Sequence, residues 1–269
     1  MRIANHSFDL SLDDHALRVR TIAAADTHAT GRPTLVFLHD SLGCITVWRD
    51  FPDQLAASVG CHALVYDRRG YGMSSAFGPH ARAPDYLEEE AEVLLRLLDA
   101  TGISDAILFG HSDGGSIALV AAARYADRVH GVVTEGAHVF VEELTLAGIR
   151  EARELLRTTD LRERLMRHHG ERTDAVTSAW IDVWLSPGFR DWNIERYLQH
   201  ITCPVLALQG ADDEYGTPAQ TRAIVDGVRG PARAHLLPSV GHTPHRAATD
   251  EVIRLTAAFL TENVPALAR

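Results

Sequence analysis

The chain has 269 residues, 46% hydrophobic and 23% charged, a balance that excludes disorder and fibrous repeats and leaves room for one large domain with an insertion or two small ones. Its 26 basic against 36 acidic residues give a formal charge of −10, which argues against a basic face for a phosphate backbone and so against nucleic acid as a main partner. No apolar run approaches the ~20 residues needed to span a bilayer, Met1 to Arg20 carries no signal-peptide core, and Cys44, Cys61 and Cys203 form no C-x-x-C. These features predict a soluble, cytoplasmic protein with no membrane association, no disulfide framework and no structural zinc.

Residues Ser7 to Ile22 alternate loosely around Asp13-Asp14-His15 and predict an antiparallel hairpin at a sheet edge. From Thr34 the pattern changes to short continuous apolar runs at Thr34–Leu38, Ala63–Tyr66, Ala106–Phe109, Val129–Val133, Val205–Leu208 and Ala234–Leu237. Runs apolar on both faces suit buried parallel strands. Helical patterns lie between them at Trp48–Ser58, Tyr86–Ala100, Ser116–Tyr125, Ala219–Val228 and Glu251–Leu260. Alternating strands and helices predict an α/β fold, a mostly parallel sheet with helices on both faces.

The alternation breaks between His138 and Ile201, where the patterns are helical only. This predicts a helical cap, residues 138–200, inserted after the sixth strand of a core built from 1–137 and 201–269. Within it, Asp160-x-x-Glu163 reads as a capping box, Pro187-Gly188 as a helix stop, and Asp191 as a cap for the segment to Gln199. Trp180, Trp184 and Trp192 fall there, most of them expected to pack the insertion and one or two to line an apolar pocket.

The strongest motif is Gly110-His111-Ser112-Asp113-Gly114, a G-x-S-x-G between the strand Ala106–Phe109 and the helix Ser116–Tyr125. Serine on a sharp strand-to-helix turn needs small residues two before and two after it, and its hydroxyl then projects above a helix N-terminus that favours developing negative charge. A serine nucleophile needs a base and an orienting acid, in the chain order serine, acid, histidine for this arrangement. His242 follows the final strand in Pro238-Ser239-Val240-Gly241-His242, and the acid is one of Asp212, Asp213 and Glu214 after Val205–Leu208.

These motifs resemble the α/β-hydrolase superfamily over nearly the whole chain. The resemblance selects Asp213, third after the strand-end glycine, with Glu135 after the sixth strand as an alternate position for the acid. Asp67-Arg68-Arg69-Gly70-Tyr71-Gly72-Met73-Ser74 is similar to the family's D-x-R-G-x-G-x-S loop, a support for the elbow. No helix opens at Gly70-x-Gly72, so a dinucleotide site is rejected. The family's oxyanion loop reads His-Gly-x-x-Gly, whereas this chain has His39-Asp40-Ser41-Leu42-Gly43. By analogy the oxyanion donors are the backbone N–H groups of Ser41 and Asp113, and Asp40 with Asp113 suggests an acidic mouth that disfavours anionic substrates. His168-His169 and His242-x-x-His245 lack a matching ligand set, so no metal and no cofactor are expected.

The resemblance implies a serine esterase of carboxylesterase type acting on small, mainly apolar esters through an acyl-enzyme on Ser112. The same triad would serve cleavage of a C–C bond, an enol-lactone or a thioester. His111 stands where resembling C–C hydrolases often have Asn, and a serine nucleophile disfavours the branches that use Asp. A ligand-binding protein on a hydrolase scaffold is the alternative from another class, and cofactor-free oxygenase chemistry is a further use of the fold.

Overall fold

The computed structural model describes residues 5–24, 31–78 and 82–268. Among the described residues, eight strands run along the chain as β1 His6–Leu12, β2 His15–Ile22, β3 Thr34–Leu38, β4 Ala63–Tyr66, β5 Ala106–His111, β6 Val129–Glu135, β7 Val205–Gly210 and β8 Ala232–Leu237. They form one sheet in the order β1-β2-β4-β3-β5-β6-β7-β8. β1 and β2 pair antiparallel through a tight turn at Asp13-Asp14, β2 pairs antiparallel with β4, and the remaining pairs are parallel.

Every residue of β3, β4, β5 and β7 is buried, as expected for strands covered on both faces. Successive side chains alternate between two cores. Val36 and Leu38 join the core under helices α2 (Tyr86–Thr101) and α3 (Asp113–Arg124), whereas Leu35 and Phe37 join the core under α1 (Phe51–Val59) and α10 (Thr249–Asn263). Between β6 and β7 lie α4 (Glu143–Thr158), α5 (Leu161–His169), α6 (Thr173–Trp184) and α7 (Glu195–Leu198), and an isolated bridge joins Phe140 to Asn193 in the same stretch. Helices α8 (Pro218–Gly227) and α9 (Pro244–Ala247) follow β7 and β8.

Helix ends depart from the sequence pattern where tertiary contacts intervene. The helix expected from Trp48 begins at Phe51, after a 3-10 turn over Ile45–Trp48. The helix expected from Ser116 begins at Asp113, because Gly114 and Gly115 are needed for close backbone approach and do not break it. In the insertion, Asp160 sits at the N-cap of α5, yet its carboxylate reaches Arg164 at 3.4 Å and makes no cap hydrogen bond. Asp191 does not cap the last segment. α7 starts at Glu195, whose N–H is taken by Asn193 Oδ1 at 2.8 Å.

The sheet order fixes where a site can form. β3 leads to its neighbour β4 on one side, while β5 leads to β6 on the other. Connections that diverge in this way leave a crevice beyond the carboxyl ends of β3 and β5, the usual ligand position in such sheets. The segments beginning at His39 and Ser112 emerge there.

Candidate active site

Ser112 sits between β5 and α3 at φ 53°, ψ −118°, a region costly for a residue with a Cβ, at about 1–3 kcal/mol. The surroundings hold it there. Its N–H donates to the Glu135 carbonyl of the adjacent strand at 2.8 Å. A Cβ on Gly110 would lie 2.2 Å from the Gly114 carbonyl oxygen, and one on Gly114 would lie 2.0 Å from the Leu38 carbonyl oxygen. Only glycine at both positions lets the turn close against β3.

Three side chains meet at the crevice. Ser112 Oγ is 3.0 Å from His242 Nε2, and His242 Nδ1 is 2.8 Å from Asp213 Oδ1. With Nδ1–H donated to the carboxylate, Nε2 is left to accept the serine proton. Asp213 Oδ1 also accepts the Tyr215 N–H at 2.9 Å. Burial works to raise the Asp213 carboxyl, but the His242 hydrogen bond and charge, with the Tyr215 N–H, hold it below the usual carboxylate range.

The three neighbouring acids have different contacts. Asp213 reaches the imidazole, Glu214 Oε2 accepts the His242 backbone N–H at 3.1 Å, and Asp212 is exposed. The alternate acid, Glu135, is fully buried and pairs with His245 at 2.7 Å, away from His242. Positive φ at Gly136 and its close approach to His242 Cε1, which a Cβ would bring to 2.8 Å, seat the imidazole against the end of β6.

Ser41 and Asp113 flank Ser112 from the two loops. Among the described residues, neither backbone N–H is matched to a protein acceptor. The Ser41 loop is fixed from below by the Asp67 to Ser74 segment. Asp67 accepts the N–H groups of Ile45 at 2.6 Å and Met73 at 2.8 Å, and His39 Nε2 accepts the Arg68 N–H at 3.0 Å. Burial, then the Arg68 charge, hold the His39 pKa well below its usual value, consistent with a neutral ring that accepts.

Of the two carboxylates expected at the mouth, Asp113 is turned into the core, while Asp40 lines the cavity and is paired with His111. Asp113 is buried and takes hydrogen bonds from Tyr86 Oη at 2.9 Å and Arg68 at 3.4 Å, while Trp184 Nε1–H donates to Tyr86 Oη at 2.9 Å. Asp40 accepts the Leu42 N–H at 3.3 Å and forms an ion pair with His111 at 3.7 Å. His111 in turn donates Nε2–H to the His242 carbonyl at 2.7 Å. Burial opposes charge on His111, but Asp40, supported by Glu135 and the His242 carbonyl, pushes its pKa up to about 9.

A cavity of about 500 Å³ opens over Ser112 and His242. Trp180 and Trp184 line it, with Leu42, Ile149 and Leu165, whereas Trp192 stacks on Phe189 in the core. Two contributors were not singled out by sequence. The Tyr215 ring lies 4.7 Å from the His242 ring and the His138 ring 5.9 Å from it, and His138 Nε2–H donates to the Tyr215 carbonyl at 3.0 Å. The position of His138, just past the carboxyl end of β6, was the available signal. The histidine pairs considered as ligands have separate partners. His168 meets Thr46 at 2.7 Å, His169 bridges the Gly72 N–H and the Leu42 carbonyl, and His245 pairs with Glu135.

Comparison with known proteins agrees with this architecture. Residues 33–201 match the family model described as alpha/beta hydrolase fold. The chain belongs to the α/β-hydrolase family. A curated relative, serine hydrolase BPHL of Homo sapiens, is 31% identical over 209 residues, which cover 73% of this chain and 68% of that protein. The 2-succinyl-6-hydroxy-2,4-cyclohexadiene-1-carboxylate synthase of Salmonella paratyphi C (strain RKS4594) is 38% identical over 112 residues, 40% of each chain. The crystal structure of the enol-lactonase from Burkholderia xenovorans LB400 superposes with a TM-score of 0.74 at 22% identity, covering 94% of this chain and 99% of that one. At that identity the likeness concerns the fold. Among the described residues no helix is long and apolar enough to cross a membrane.

Proposed function

We propose that this α/β hydrolase is a serine esterase that cleaves carboxylic esters of small, mainly apolar molecules through an acyl-enzyme on Ser112. The observation that carries the reading is the continuous hydrogen-bonded line Ser112–His242–Asp213, at 3.0 and 2.8 Å, at the base of an open cavity. His242 Nε2 takes the Ser112 proton as Oγ bonds to the ester carbonyl carbon. The resulting oxyanion accepts the N–H groups of Ser41 and Asp113, donors of a kind worth roughly a hundred- to a thousandfold in rate. His242 returns the proton to the leaving alkoxide as the C–O bond breaks. Water, deprotonated by the same nitrogen, then attacks the acyl carbon, and Ser112 leaves with the proton from His242.

In this reading Asp213 orients His242 and stabilises the imidazolium, and residues 138–200 act as a helical cap that supplies Trp180 and Trp184 to the acyl pocket. The free thiols of Cys44, Cys61 and Cys203 fit a reducing cytoplasm. The match to a 2-succinyl-6-hydroxy-2,4-cyclohexadiene-1-carboxylate synthase favours a second reading, the same triad turned to C–C or enol-lactone chemistry. Hydrolysis of p-nitrophenyl esters of increasing acyl length, by the parent and Ser112→Ala proteins side by side, tests the choice. Robust turnover lost in Ser112→Ala supports the esterase. A well-folded parent that leaves every ester intact contradicts it and favours the second reading or a ligand-binding role.

A further inference from the structure

The lining of the cavity holds a concentration of positive charge that the triad does not use. Arg49 follows the 3-10 turn Ile45–Trp48, Arg167 lies in the last turn of α5, and Arg246 lies in α9, four residues past His242. All three line the cavity that contains Ser112. They come from three separate elements, yet the charge of each reaches His168. That ring's pKa is lowered first by burial and then by the charges of Arg167, Arg246 and Arg49.

Among the described residues, none of the three guanidinium groups meets a carboxylate within 4.0 Å. Elsewhere arginines of this acidic chain do meet acids, as in Arg20–Asp53, Arg128–Asp99 and Arg162–Asp174. The carboxylates at the cavity are committed otherwise, Asp40 to His111 and Glu214 to the His242 N–H. A fourth lining arginine, Arg164, is paired with Asp160. Like charges gathered beside a cavity without counter-ions repel, and an entering anion removes that repulsion. Apolar surface from Trp180, Leu161 and Leu165 lies in the same cavity. A substrate suited to the whole space therefore joins a reactive carbonyl, an apolar body and an anionic group.

We infer that Arg49, Arg167 and Arg246 form an anion subsite, which selects esters carrying a free carboxylate remote from the scissile bond. This deepens the esterase reading and rests on it. The test compares esters matched in length and differing only in the remote charge. Mono-p-nitrophenyl adipate against p-nitrophenyl methyl adipate places the carboxylate in the acyl half, and 4-acetoxybutyrate against its methyl ester places it in the alcohol half. In the parent, the anionic member of at least one pair should have a kcat/KM about tenfold higher, since exposed ion pairs are individually weak and three act together. The ratio should fall towards one in the Arg49→Gln, Arg167→Gln, Arg246→Gln triple variant, and in about 0.5 M salt, where screening acts within a few ångström.

Binding to the Ser112→Ala protein, read by tryptophan fluorescence, separates the two layers of the account. Tighter binding of an anionic ester, lost in the triple arginine variant, supports the subsite even if the parent hydrolyses no ester. Turnover or binding that ignores the remote charge, or a preference that survives the triple variant with its fold intact by circular dichroism, overturns the inference and leaves the esterase reading standing.

Discussion

Replacing Asp40 with Asn should alter the pH dependence of stability in a defined window. Asp40 stands where the family has glycine, and its carboxylate pairs with His111 at 3.7 Å. His111 is 4% exposed and has its pKa pushed from 6.5 up to about 9, burial opposing the charged form and Asp40 more than offsetting it. A group whose folded pKa exceeds its unfolded value adds stability that is fully present below the unfolded pKa and lost as pH rises through the folded one. For His111 the window runs from pH 6.5 to about 9, and at ~1.4 kcal/mol per pH unit the effect is about 3 kcal/mol.

Other groups act outside that window. His39, His138, His168, His169 and His245 have lowered pKa values, burial being the first cause in each, so their contribution has the opposite sign and falls below pH 6.5. The thiols of Cys44 and Cys61, raised by burial to about 11, and of Cys203, raised to about 12, lose stability only above about pH 9. Urea unfolding followed by tryptophan fluorescence at intervals from pH 6 to 9 should show the parent losing stability with rising pH. Asp40→Asn should be less stable at the low end and nearly flat across the window. Parallel curves for the two proteins would refute the assignment of charge to His111.

Further outcomes follow from the elbow, the triad and the network behind them. Ser112→Ala should lower esterase kcat by about a millionfold and Asp213→Ala by about ten-thousandfold, measured by steady-state kinetics. Gly114→Ala, which sets a Cβ 2.0 Å from the Leu38 carbonyl oxygen, should cost several kcal/mol or prevent folding, because the opposing group is backbone and cannot swing away; thermal unfolding reads this. Tyr86→Phe removes the hydroxyl that donates to Asp113 and accepts from Trp184, and should destabilise by about 1–3 kcal/mol through the buried groups it leaves unpaired.

Much of this molecule was legible from residue order. Continuous apolar runs from Thr34 onward announced buried parallel strands, and the strand–G-x-S-x-G–helix context marked Ser112. Chain order and distance from strand ends indicated His242 and, with the family resemblance, Asp213. What escaped was direction. The carboxylates of Asp40 and Asp113 count as negative charge at the mouth in a one-dimensional reading, yet one turns to His111 and the other to Tyr86 and Arg68. Arg49, Arg167 and Arg246 are scattered through the sequence, and only folding brings them to one cavity. Helix starts were misjudged for the same reason. The helical pattern starts at Ser116, while α3 begins at Asp113, with Gly114 close against the Leu38 carbonyl of β3.

The central claim is that Ser112 is a nucleophile activated by His242. Incubation with a fluorophosphonate probe, which a serine alkoxide attacks at phosphorus with loss of fluoride, followed by peptide mass spectrometry, tests it most directly. Ser112 should carry one stoichiometric phosphonyl adduct in the parent and acquire it much more slowly in His242→Ala. An unmodified Ser112 in folded protein, or labelling at equal rates in the two proteins, would contradict it.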